Sequence, residues 1–200
     1  MIALSLALQL ACSRPADPTR VTPQMRLALE AACRQEIAAN PHDLKAYDIL
    51  AEALIGSPPE RLKVLQAGLQ VAPDNFSFQL NAGYCLRELG RFDEALTALK
   101  RAATLDTTME GGLALSQAGL VAQTMRKNVD ALELFRRSLS RAPQDGSTWG
   151  YMARSLYALH KYPDAVQAWD RAESLSAHGY IDEAGDRSMY QRSRALSSRR

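Results

Sequence analysis

The chain has 200 residues, a length that suits one compact domain or one short array of repeats. Its formal net charge is only +2, so binding to nucleic acid through overall positive charge is not expected. No apolar stretch reaches the roughly 18 residues that a membrane-spanning helix needs. The three cysteines and three histidines show no spacing typical of a metal site, and we expect neither a metal nor a cofactor.

The first twelve residues have the features of an export signal. Residues 2–11 carry no charge and have the length of the apolar segment of a signal peptide. The pair Ala11-Cys12 resembles the cleavage site of bacterial lipoproteins. This resemblance implies that Cys12 becomes a lipidated first residue that attaches the protein to the periplasmic side of the cell envelope, for example to the outer membrane. Ordinary signal cleavage without a lipid is one alternative, and retention in the cytoplasm is the other.

The next two segments differ in predicted structure. Residues 13–22 contain two prolines and predict an extended linker, which at about 3.3 Å per residue could span about 30 Å. Residues 23–41 predict a single amphipathic helix that ends before Asn40-Pro41, because proline does not continue a helix.

Four segments that follow share one internal pattern. They are residues 42–75, 76–109, 110–145 and 146–179. Each has a small residue in the middle of a first predicted helix, namely Ala51, Gly83, Gly119 and Ala153. Each also has a large apolar residue in a second predicted helix, with spacings of 34, 36 and 34 between Leu65, Leu99, Phe135 and Trp169. This repeat length, with apolar residues at helical spacing, predicts stacked helical hairpins.

The pattern resembles that of the tetratricopeptide repeat family. The match is fullest in residues 146–179, whose characteristic positions hold Trp149, Ala153, Tyr162, Ala165 and Trp169. The resemblance implies an all-α fold, a right-handed superhelical array of antiparallel helix hairpins. Residues 23–41 and 180–200 would then be capping helices, the second ending in a basic tail, because a repeat array must shield its terminal apolar faces.

Three departures from the pattern carry their own expectations. The repeat at 42–75 is about two residues short and has Arg61 where a small residue is usual. Its turn, Ser57-Pro58-Pro59-Glu60, predicts a helix start closed by a capping box between Ser57 and Glu60. The extra residues near Gly111-Gly112 predict a bend between neighbouring repeats.

The family resemblance also implies a binding surface, because the first helix of each repeat lines the concave face in this family. The candidate peptide-binding positions on these helices are Asp48, Glu52, Tyr84, Arg87, Leu120, Gln123, Arg154 and Tyr157. Tyrosine and arginine are common among the residues that dominate interface energies. Since only Arg87 and Arg154 are basic, a clamp for acidic C-terminal peptides is not expected. A helix or extended peptide of mixed character fits better.

No set of residues with catalytic spacing is present, since the histidines fall at predicted turns and helix ends. Cys33 and Cys85 occupy predicted core positions and are expected to be unreactive free thiols. We therefore expect a non-catalytic scaffold that binds a protein or peptide partner and supports assembly of a multiprotein complex. The alternatives are a cytosolic adaptor or co-chaperone-like protein, an RNA-binding helical-repeat protein, and an enzyme. The oligomeric state is not predicted.

Overall fold

The computed structural model describes residues 22–175 and 184–197, and these residues form α-helices joined by short loops, without a β-strand. The prediction of an all-α fold is confirmed. The helices are α1 (Pro23–Ala39), α2 (Leu44–Ala53), α3 (Pro58–Val71), α4 (Phe76–Glu88), α5 (Phe92–Leu105), α6 (Met109–Thr124), α7 (Asn128–Arg141), α8 (Gly146–Ala158), α9 (Tyr162–Leu175) and α10 (Ala184–Ser197). Among the described residues, no helix is both long and apolar enough to cross a membrane.

The chain divides into two compact units, residues 1–91 and 92–200. The first unit contains α1–α4 and the second contains α5–α10. Within each unit, every helix packs against the next helix along the chain. In the second unit, α6 also contacts α8, and α8 also contacts α10. Packing between sequence neighbours is the arrangement expected of stacked hairpins.

The core of each unit is built from the residues that define the repeat. Leu65, Leu99, Phe135 and Trp169 are all 0 % exposed, and the small residues of the first helices are buried beside them. A methyl group on Gly119 would lie 2.6 Å from Cδ1 of Phe135 and 2.9 Å from its Cζ. Glycine is therefore required at this position for α6 and α7 to approach each other closely. The predicted core positions are confirmed.

Arg61 stands on α3 where a small residue was expected, and the first unit accommodates it with a polar contact. Its Nη2 donates a hydrogen bond to Oδ1 of Asn81 on α4, at 2.8 Å. Its Nε is buried without a hydrogen-bond partner in the described part of the chain. The guanidinium thus bridges two helices, but its hydrogen bonding is incomplete.

Several helix starts in the structure are capped by side chains, but the predicted capping box at α3 is wrong. Asp43, Asn75 and Asp145 each accept a hydrogen bond from a backbone N–H of the following helix. Ser57 does stand at the cap position of α3 with prolines after it, but its side chain makes no capping hydrogen bond. Two prolines in the first turn leave fewer N–H donors there, and Glu60 pairs instead with Lys63 at 3.0 Å.

The Gly111-Gly112 pair lies in the first turn of α6 rather than in a loop. A side chain on Gly111 would overlap the carbonyl oxygen of Asp106, and one on Gly112 would lie 3.2 Å from Cβ of Arg141. The Arg141 guanidinium donates hydrogen bonds to the carbonyl oxygens of Ala103 and Asp106, both at 3.0 Å. The two glycines therefore let α6 pass close to the end of α5 and to α7.

A residue in the left-handed conformation follows each of the helices α4, α6 and α8. Gly90 has φ +73°, and the equivalent Arg126 and His160 each have φ +59°. Glycine adopts this conformation without strain, whereas residues with a Cβ do so at a cost. In each case the N–H of the next residue bonds back to a carbonyl of the preceding helix, which closes the turn.

Candidate protein-binding surface

In the first unit, the candidate binding residues lie on α2 and α4. Asp48 is half-buried and Glu52 is exposed on α2, while Tyr84 and Arg87 are both half-buried on α4. The guanidinium carbon of Arg87 lies 5.7 Å from the centre of the Tyr84 ring, within the range of a cation–π contact. The two side chains on α4 thus form one paired feature rather than two separate ones.

The electrostatic surroundings keep the Tyr84 side chain neutral. Burial raises the pKa of its hydroxyl above the ordinary value, and the positive charge of Arg87 offsets part of this increase. The hydroxyl therefore stays protonated near neutral pH and can both donate and accept a hydrogen bond. Tyr84 and Arg87 together present an aromatic ring, a hydroxyl and a guanidinium within one helical turn.

In the second unit, Gln123 has an internal role. It lies on α6, and its Nε2 donates hydrogen bonds to the carbonyl oxygen of Tyr151, at 3.0 Å, and to Oγ of Ser155, at 2.8 Å. Both acceptors belong to α8. The half-buried side chain of Leu120 lies one turn earlier on α6. Gln123 therefore joins neighbouring repeats, which the sequence analysis did not predict.

Arg154 on α8 also makes an internal contact, to the C-terminal helix. Its Nε donates to Oδ1 of Asp186 at 2.8 Å, and its Nη2 donates to Oδ2 at 2.6 Å. The Asp186 side chain is only 1 % exposed, whereas that of Arg154 is 27 % exposed. A two-point charge-assisted pair of this kind fixes both groups in space. The guanidinium that the sequence analysis assigned to a partner peptide is thus already bound to α10.

Tyr157 belongs to a row of aromatic rings in the second unit. Its ring centre lies 5.7 Å from that of Tyr162 and 6.2 Å from that of Trp169, and the tryptophan lies 6.1 Å from Tyr190. Tilted and edge-to-face rings at such distances attract one another. The row runs from Tyr162, the first residue of α9, to Tyr190 on α10. Tyr157 is half-exposed and also contributes to packing in this part of the second unit.

The cysteines differ in chemical state. Cys33 is buried and disulfide-bonded, so the expectation of a free thiol at this position is wrong. Cys85 is a buried free thiol whose pKa is raised, mainly by burial. Cys12, the candidate lipidation site, lies outside the described residues. In the described part of the chain, no group of histidine, cysteine and acidic side chains could hold a metal ion.

Each unit also carries a shallow groove that the sequence analysis did not single out. The groove of about 250 Å³ lies among α1, α2 and α3, and the groove of about 370 Å³ lies among α7, α8 and α9. Each is lined by an arginine, an aromatic residue and an acid: Arg34, Tyr47 and Glu60 in the first, and Arg136, Trp149 and Asp164 in the second. The recurrence of this trio at spacings of 102, 102 and 104 residues is the sequence signal that could have revealed both grooves.

A family model described as tetratricopeptide repeat matches residues 62–110 and 116–180, more than half of the chain. The chain belongs to the tetratricopeptide repeat family. This assignment agrees with the residues that form the core, since the match covers Leu65, Leu99, Phe135 and Trp169. No curated protein sequence matches the chain significantly.

Several solved structures share this fold. A crystal structure of the MamA protein has 17 % identity and a TM-score of 0.76, with 88 % of this chain and 93 % of that chain covered. PilF from Pseudomonas aeruginosa has 20 % identity and a TM-score of 0.69, covering 99 % and 91 %. YrrB, described as a TPR protein with an unusual peptide-binding site, has 14 % identity and a TM-score of 0.70, covering 97 % and 90 %. At these identities, the similarity shows the fold and supports a helical solenoid.

Proposed function

We propose that this tetratricopeptide repeat protein is a non-catalytic scaffold that binds a protein partner through the first helices of its repeats, and that the main contact is the Tyr84–Arg87 pair on α4. The observation that carries the proposal is the pairing itself, at 5.7 Å. Tyrosine and arginine are enriched among residues that dominate binding energies. The unusual peptide-binding site for which YrrB is described is compatible with such a role.

The proposed partner is a helix or extended peptide of mixed character. In the first unit, the carboxylates of Asp48 and Glu52 lie on α2, while the aromatic and cationic groups lie on α4. A partner that carries both a basic and an apolar or acidic side chain would complement this arrangement. In the second unit, Gln123 and Arg154 contribute to internal contacts. We place the main partner contact at the Tyr84–Arg87 pair because an aromatic ring and a guanidinium lie together there.

The experiment that tests this function is capture of partner proteins by crosslinking in cells, followed by identification and quantification of the captured proteins. Replacing Tyr84 and Arg87 with alanine should reduce the yield of the principal partner about ten-fold or more, the loss typical of a central interface residue. Arg137→Ala is the matched control, because Arg137 is an exposed arginine on α7, a second helix of a repeat. If the double variant captures the same proteins at the same yield as the control, the proposed surface is wrong.

We further propose that the scaffold is exported and lipid-anchored at Cys12, where it supports assembly of a multiprotein complex in the bacterial envelope. The support is the uncharged segment 2–11 followed by Ala11-Cys12.

Labelling with radioactive palmitate, combined with cell fractionation, tests the anchor. The wild-type chain should be labelled and found in the membrane fraction, and Cys12→Ala should remove the label. A chain that is unlabelled and stays in the cytoplasm would favour the cytosolic adaptor. A disulfide between Cys12 and Cys33, detected by mass spectrometry without reduction, would also contradict the anchor, because one sulfur atom cannot carry both bonds.

A further inference from the structure

The most deeply buried described side chains of the C-terminal helix α10 are polar. Its fully buried described side chains are Asp186 and Ser193, whereas its larger apolar residues Met189, Tyr190 and Leu196 remain half-exposed. By comparison, α9 buries Trp169 completely together with three alanines. Since burial of apolar surface is the main source of docking energy, α10 is held more weakly than the helices before it.

The surface under α10 recognises particular side chains at particular positions. Arg154 binds the Asp186 carboxylate through two hydrogen bonds of 2.8 and 2.6 Å. Four residues later, the Tyr190 ring packs edge-on against Trp169, with ring centres 6.1 Å apart, and its hydroxyl donates a hydrogen bond of 2.6 Å to Asp170. We call the surface formed by Arg154, Trp169 and Asp170 the terminal slot. In α10 it holds an acid, Asp186, followed one turn later by a tyrosine, Tyr190.

Two buried polar atoms show that α10 fits the terminal slot imperfectly. Nε1 of Trp169 and Oγ of Ser193 are buried and have no hydrogen-bond partner in the described part of the chain. A buried donor without a partner destabilises the arrangement that encloses it. A helix with a small apolar residue in place of Ser193 would therefore bind the slot more tightly than α10 does.

We propose that the terminal slot is a binding site for a helix of a partner protein that carries the acid-and-tyrosine pattern, and that α10 is a built-in competitor for this site. The inference rests on the proposed function of partner binding and specifies a second contact, in the second unit. The chemistry of the occupant is read from α10 itself, which shows what the slot accepts. A partner helix displaces α10 when it keeps the carboxylate and the ring and avoids the buried hydroxyl.

The test uses the full-length chain and a fluorescently labelled peptide of residues 184–197, with binding followed by fluorescence anisotropy. A peptide with D186N should bind about ten-fold or more weakly than the unaltered peptide, because it loses a charge-assisted contact to Arg154. A peptide with S193A should bind more tightly than the unaltered one. A peptide with S188A is the matched control, because Ser188 is exposed, and it should bind like the unaltered peptide.

The same substitutions in the full-length chain should have the opposite effect. Asp186→Asn weakens the internal competitor and should tighten binding of the unaltered peptide, whereas Ser193→Ala strengthens it and should weaken peptide binding. Circular dichroism checks that each variant is folded, and Ser193→Ala keeps the test decisive if Asp186→Asn fails to fold. If all peptides bind all chain variants with the same affinity, the inference is wrong. It is also wrong if the Asp186→Asn chain forms a dimer in which two copies exchange α10. If the peptide substitutions change nothing while partner capture in cells still depends on Tyr84, the terminal slot is refuted and the proposed function is not.

Discussion

Replacing Gly119 with alanine should destabilise the second unit, because the added methyl group has no room. It would lie 2.6 Å from Cδ1 of Phe135, whose ring is 0 % exposed and therefore enclosed on all sides. Carbon atoms pack at about 3.5–4.0 Å, so either the ring or α6 must move. Overpacking of this kind costs about 2–3 kcal/mol, and the better helix propensity of alanine returns about 1 kcal/mol. The net loss in the free energy of unfolding is then about 1–2 kcal/mol.

Urea denaturation followed by tryptophan fluorescence measures this loss directly. Both tryptophans of the chain, Trp149 and Trp169, lie in the second unit, so their fluorescence reports the unit that contains Gly119. In a thermal denaturation experiment with the same fluorescence signal, the melting temperature should fall by about 2–8 °C. Glu133→Ala is the control, because Glu133 lies on α7 in the same unit and its side chain is exposed.

A second substitution tests the stated cause. Phe135→Leu removes the ring that the new methyl group would strike, so in this background Gly119→Ala should be nearly neutral or slightly stabilising. The difference between the two backgrounds is the coupling energy of the pair. If Gly119→Ala is neutral in the wild-type chain, or costs the same in both backgrounds, the close contact between α6 and α7 is not the reason for glycine at this position.

Three further substitutions or modifications test other features of the structure. Arg126→Gly should raise the free energy of unfolding by about 0.5–1 kcal/mol, measured by urea denaturation, because Arg126 is left-handed at φ +59°; an unchanged or lower value would contradict the strain argument. Hydrogen bonds from Thr108 hold the pKa of the Asp106 carboxyl below its ordinary value. The stabilisation from this carboxylate is therefore present above pH about 4 and is lost as the pH falls through the lowered pKa. Asp106→Asn should make the free energy of unfolding depend less on pH in that acidic range, and an unchanged pH dependence would contradict this. The raised pKa of buried Cys85 should make its alkylation by iodoacetamide at pH about 8 slower than that of a short cysteine peptide, as followed by mass spectrometry; equal rates in the folded chain would show that the thiol is accessible and ordinary.

The core and the helix order could be predicted from the sequence, because the buried face of a helix requires apolar residues at regular spacing. Positions such as Leu99 and Phe135 must be apolar in every hairpin, and the facing Gly119 must be small, since each occupies the same place in the packing. A spacing near 34 residues therefore predicts which helices pack side by side, even when no side-chain contact is known. This is why the family resemblance and the structure agree on the elements.

The polar contacts of the candidate surface could not be predicted in the same way. Asp186 lies 32 residues after Arg154, and its helical position gives no hint of which cation it meets. Gln123 likewise meets its acceptors on α8 only after two helices have packed side by side. Hydrogen bonds depend on distance and angle to within a few tenths of an ångström, whereas hydrophobic periodicity fixes only which side of a helix faces inward. The resemblance therefore located candidate positions but could not tell external contacts from internal ones.

The restriction of helix packing to neighbours along the chain has a mechanical consequence. Among the described residues of each unit, helices pack mainly against the next one or two helices along the chain. Contacts between the helices of distant repeats are therefore not what holds the described part of a unit together. A pull applied along the chain would then release one hairpin at a time, beginning where a neighbour is missing. A repeat of 34 residues extends to about 110–120 Å when unfolded, so each release would lengthen the protein in a step of nearly that size. A scaffold of this construction can lengthen in increments under load and keep its remaining repeats folded.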